Sequence, residues 1–87
     1  MKLAVPLVHL NGTPKQRLLD PLLKAYEETE ILYRELAQTA PNARDYYVQD
    51  NDVWPQAVEQ HSARLGLVRK LREELERLIN AIIAQKG

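Results

Sequence analysis

Val68, Leu71, Leu75, Leu78 and Ile82 recur at alternating steps of three and four, the spacing of an α-helix that packs along a partner helix. Ile79 and Ile83 widen this stripe, which predicts more than one neighbour. Arg69, Lys70, Glu73, Glu76, Arg77 and Asn80 fall on the opposite face and belong in water. Further upstream, Leu18, Leu22, Ala25, Thr29, Leu32 and Leu36 make a second stripe, flanked by Leu19, Tyr26, Tyr33 and Ala40. Ile31 points away from that stripe and is a candidate for a second contact.

The boundaries are carried by turn and cap residues. Asn11-Gly12 predicts a turn, Thr13 reads as an N-cap, Pro14 suits the first helical position and Gln16 completes a capping-box pattern. The first helix is expected over 14–40, with Pro21 kinking or splitting it. Pro41-Asn42 opens a loop over 41–51, long for a helix-to-helix connection. A second helix follows over 52–84, capped by Asp50, Asn51 or Asp52. Residues 1–12 form an extended arm, apolar from Leu3 to Leu10 and interrupted by Pro6. Left exposed, such an arm invites aggregation, so it is expected to lie across the helices or to pair with another subunit. The fold class is all-α: a long antiparallel αα-hairpin (13–87) with an extended N-terminal arm.

Length and charge narrow the picture. A chain of 87 residues without cysteine is near the lower limit for an unaided core and has no disulfide or thiolate zinc site to support it. Two hairpins closing into a helical-bundle homo-oligomer, a dimer or higher, would supply the missing burial. The contact residues expected for that assembly or for a partner are Val68, Leu71, Leu75, Leu78, Ile79, Ile82, Ile83 and Ile31. Twelve basic and twelve acidic residues cancel, which disfavours nucleic acid as a partner, although Arg64, Arg69, Lys70 and Arg72 form a local basic patch. No apolar run reaches the ~20 residues of a membrane span. The N-terminal apolar run resembles a signal peptide, but Pro6 breaks it and no small-residue cleavage site follows, so the chain is read as cytoplasmic.

Candidate chemistry is sparse. Extending the Val68 to Ile82 stripe upstream places Arg64 and His61 in the seam, with Ala57 and Trp54 beyond, where polar groups define a pocket or fix register. The competing reading turns the apolar face onto Val58 and Leu65 and lets Arg64 reach outward. Arg44, Tyr46 and Tyr47 put two stackable rings beside a planar cation, a combination that suits an anionic, nucleotide-like ligand. The alternative is a tyrosine plugging the end of the hairpin. Glu59 and His61 lack the spacing of a di-iron ligand pair, and neither a metal nor another cofactor is expected. Hydroxyl residues stand beside no histidine at a telling spacing. The pairs Glu27/Glu30 and Glu73/Glu76 have the Glu-x-x-Glu pattern that binds magnesium in helical nucleotide pyrophosphatases, but they face outward or flank the seam and lack a downstream acidic partner pair. The protein is therefore expected not to be an enzyme. The i, i+4 pairs Arg69/Glu73, Lys70/Glu74, Arg72/Glu76 and Glu73/Arg77 account for the charged face without a ligand.

The segment Val8-His9-Leu10-Asn11-Gly12-Thr13 before one helix, and the turn Ala40-Pro41-Asn42-Ala43-Arg44-Asp45-Tyr46-Tyr47 before another, resemble small helical-hairpin proteins from the accessory regions of bacteriophages and prophages. The architecture is also similar to phage anti-defence nucleotide sponges, short helical hairpins that oligomerise and bind ligands between subunits; no residue roles carry over. The resemblance implies a phage-type origin. Together with the residue reading, it leaves two expectations. One is an oligomeric inhibitor or adaptor acting on a host protein through Ile31, the arm or the tyrosine loop. The other is a sponge holding a small anionic ligand at subunit junctions through Arg44, Tyr46, Tyr47, Arg64 and His61.

Overall fold

A computed structural model describes residues 2–86; Met1 and Gly87, the outer ends of the arm and hairpin expected above, lie outside the described residues. Two long helices, α1 (Lys15–Ala37) and α2 (Val53–Ile83), run antiparallel and are joined by a loop carrying a short 3-10 turn at Ala43–Asp45. The regular secondary structure among the described residues is all helical, and no helix in them is long and apolar enough to cross a membrane. The molecule measures 63 × 25 × 16 Å: two helices wide and a single helix layer thick, where domains ordinarily stack two layers around a core.

The start of α1 differs from the capping-box expectation. Its first turn closes on the Pro14 carbonyl, which accepts from the Arg17 and Leu18 amides, and Pro14 replaces Thr13 as the N-cap without a side-chain cap. Gln16 donates forward to Asp20 and so does not complete the box. Pro21 lies inside an unbroken helix, so the split expected there does not occur. At the other end the Gln38 and Thr39 amides and the Thr39 hydroxyl turn back onto Glu35 and Leu36, tightening the last turn before Pro41.

The helices meet through a heptad register one residue away from the stripes that apolarity alone selects. On α1 the inward positions are Leu19, Leu22, Tyr26, Thr29, Tyr33 and Leu36; on α2 they are His61, Leu65, Val68, Arg72, Leu75, Ile79 and Ile82. Ala25, Leu32 and Leu71, expected in the seam, are exposed instead, and Arg72 takes the inward place expected for Leu71. The centre of the core is Leu19, Ile79 and the fully buried Ile82, with Val8, Leu18, Leu22, Tyr26 and Leu78 packed around them. It sits at the end of the hairpin where α1 begins and α2 ends. At about 1.5–3 kcal/mol per fully buried aliphatic side chain, this is a thin core to offset the ordering of two long helices.

Candidate functional site

Three constellations of side chains are available for function. The first is a polar layer within the seam. The Arg72 guanidinium carbon lies 4.5 Å from the Tyr26 ring centre, and its Nη1 donates to the Tyr26 carbonyl at 3.3 Å and the Thr29 hydroxyl at 3.0 Å. Thr29 in turn donates to the Tyr26 carbonyl. One turn away, Arg69 donates to the Tyr33 hydroxyl at 3.1 Å, a bond that raises the Arg69 guanidinium above its ordinary value. These arginines bond across to α1, so the local basic patch is partly committed to holding the hairpin. Arg72 is accordingly not the surface partner of Glu76 that the i, i+4 spacing suggested.

The second constellation is the arm. The Gln85 side chain brackets it: Oε1 accepts from the Val8 amide at 2.8 Å and Nε2 donates to the Pro6 carbonyl at 2.8 Å. Lys15 reaches across from α1 to donate to the Ile83 and Gln85 carbonyls, which α2 leaves open at its C-terminus. Upstream, Leu3 and Ala4 border Glu74, Arg77 and Leu78, so the arm follows α2 over its last turns. The Gly12 amide closes the following turn on the His9 carbonyl. A Cβ at Gly12 would stand 2.6 Å from His9 Nε2, so a larger residue there would turn the exposed His9 ring aside. Val8 packs inward, whereas Leu7 and Leu10 are 74% and 98% exposed. Neither Gln85 nor Lys15 stands out in the sequence, because a single amide or ammonium near a chain end carries no periodic signal.

The third is the loop. Tyr46 and Trp54 approach to 6.1 Å between ring centres at a 47° tilt. With Ala43, Tyr47, Gln49, Asp50 and Asn51 they line a recess of about 200 Å³. Tyr46 is half-buried and Tyr47 is exposed, so one ring closes the hairpin end and the other remains free. Arg44 stays outside this lining; its backbone amide donates to the Asn42 side chain, which caps the 3-10 turn.

The remaining expected site residues separate. His61 is buried in the seam, and its Nδ1 has no hydrogen-bond partner among the described residues. Arg64 is exposed, with Leu65 turned inward in its place, while Val58 stays outside and Ala57 is half-buried. Arg44, Tyr46, Tyr47, Arg64 and His61 therefore do not converge on one pocket within a single chain. Of the expected contact residues, Val68, Ile79 and Ile82 are buried inside the hairpin and Leu75 and Leu78 are half-buried; Leu71, Ile83 and Ile31 remain exposed. Among the described residues no group of three or more histidine, aspartate or glutamate side chains could hold a metal ion. Comparison with protein-family models, with curated proteins and with solved structures yields no match in any of the three.

Proposed function

We propose that this protein is a non-catalytic, homo-oligomeric binding protein of phage type, an inhibitor or adaptor that acts in the cytoplasm through protein–protein contacts. The observation that carries this reading is the arm: a segment bracketed by Gln85 and anchored by Val8 that turns Leu7 and Leu10 outward. Ordering a segment has an entropic cost, and the two leucines left in water do nothing to offset it in the isolated chain. A partner surface that takes both side chains would provide that return. The internal polar groups support the same view, since Arg72, Thr29, Lys15 and Gln85 are engaged within the chain.

The test is affinity capture with the parent protein and with Leu7→Asp/Leu10→Asp, both checked for unchanged helicity. A partner retained by the parent and lost by the variant is expected. Equal capture by both would remove the arm as the contact surface.

A second reading, sequestration of a small anionic ligand, rests on the Tyr46–Trp54 recess. At about 200 Å³ it is smaller than the ~300–1,000 Å³ of ordinary small-molecule sites, so a neighbouring subunit would have to complete it. Retention of a nucleotide by the parent and its loss in Tyr46→Ala and Tyr47→Ala, with the oligomer intact, would favour this reading over the first.

A further inference from the structure

In the observed register each helix has one flank immediately before its inward positions, the g positions of the heptad. On α1 that flank is Leu18, Ala25 and Leu32; on α2 it is Arg64, Leu71 and Leu78, with Gln85 following just past the helix end. In an antiparallel pair the two g flanks lie on the same side. The Tyr33–Arg69 and Thr29–Arg72 bonds set Leu32 and Leu71 level with each other on that side. The opposite flank, the e positions, carries Glu30, Ser62, Arg69 and Glu76 through its middle, with Ala37 towards the loop and Leu23 and Ile83 at the terminal end. Around the middle of this single-layer hairpin one side is therefore mostly polar and the other mostly apolar.

The arm already covers part of the apolar side. It lies over its terminal end, where Leu3, Val8, Leu18 and Leu78 are all half-buried and Gln85 forms the bracket. Beyond the arm the flank is open: Leu32 is 49% exposed, Leu71 46% and the adjoining Leu67 68%.

We infer that a second copy of this chain covers the open half of this flank, closing two hairpins into a four-helix bundle centred on Leu32 and Leu71. This rests on the oligomeric part of the function proposed above and names the surface that makes the oligomer. Surface area supports this occupant. The chain exposes 6969 Å², whereas a compact monomer of 10.0 kDa exposes about 5,200 Å². The excess, about 1,700 Å², falls in the range of about 1,000–2,500 Å² that each subunit buries in an obligate dimer. A second hairpin supplies an identical apolar layer, and a formal net charge of zero sets no overall repulsion between copies. The arm restricts the partner to the half of the flank towards the loop, so a two-fold axis at the Leu32–Leu71 level brings the two copies of Leu32 into one central layer.

Sedimentation velocity across micromolar concentrations tests this directly. The parent should sediment as a dimer and Leu32→Glu/Leu71→Glu as a monomer of unchanged helicity. A parent that is monomeric throughout would overturn the assembly itself, and a dimer that survives the double substitution would overturn this surface. Because the chain has no cysteine, Leu32→Cys gives a second test that keeps an apolar side chain in place. A short bismaleimide should link Leu32→Cys chains into dimers and leave Glu30→Cys, on the opposite flank, unlinked. Equal linking at both positions would also overturn the assignment. Leu7→Asp/Leu10→Asp should remain dimeric, so loss of a host partner and loss of self-association are separable.

Discussion

Arg72 lies over the Tyr26 ring at 4.5 Å and donates to the Tyr26 carbonyl of the same residue. One side chain of α2 thus grips both the face and the backbone of one residue of α1. The Thr29 hydroxyl completes the layer, and a half-buried cation has its donors directed at fixed acceptors.

Removing that grip should loosen the hairpin. Arg72→Ala is expected to lower unfolding stability by about 2 kcal/mol, from a desolvated cation–π contact and charge-assisted hydrogen bonds. Arg72→Met should recover part of the loss through its apolar stem. Urea denaturation reads both. A loss below about 0.5 kcal/mol, the scale of an ordinary surface substitution, would contradict the role assigned to this layer.

His61 occupies a seam position with Nδ1 unpartnered. An unsatisfied buried polar atom costs about 1–3 kcal/mol, so His61→Leu should raise the thermal midpoint. A lowered midpoint would show that the imidazole makes a contact the isolated chain lacks, as a bound ligand or a second subunit would provide.

Gly66 lies mid-helix in α2, and a Cβ built there meets nothing within 4 Å. Gly66→Ala should stabilise the protein by about 1 kcal/mol through helix propensity alone, or about 4–8 °C in Tm for a domain of this size. No gain would indicate that a surface seen as open here is occupied in the assembled protein.

Gln85→Ala removes both hydrogen bonds of the arm bracket. Hydrogen exchange at the Val8 amide should accelerate while helix amides from Leu22 to Leu32 keep their protection. Unchanged exchange at Val8 would mean that apolar packing alone holds the arm.

The hairpin, the arm and the loop were legible in the sequence because each has a local cause. The three-and-four spacing makes the helices, Pro41-Asn42 stops one of them, and Asn11-Gly12 turns the arm. The register was not legible. On each helix two stripes share Leu22, Thr29 and Leu36, or Val68, Leu75 and Ile82, and differ in the residue beside them. Apolarity favours Ala25, Leu32 and Leu71. The structure places Tyr26, Tyr33 and Arg72 there, because rings and a guanidinium on facing helices satisfy one another in a way that no single-helix pattern reveals. The leucines that this displaces form the open flank. The Gln85 bracket was hidden for a related reason: it joins residues 77 and 79 positions apart.

Native mass spectrometry of protein purified from cells without added ligand tests the central claim, a binding protein assembled from this chain, most directly. The expected species is a dimer of two 10.0 kDa chains with no retained small molecule. A monomer would contradict the assembly, and a dimer carrying a few hundred additional daltons per site would contradict a function resting on protein contacts alone.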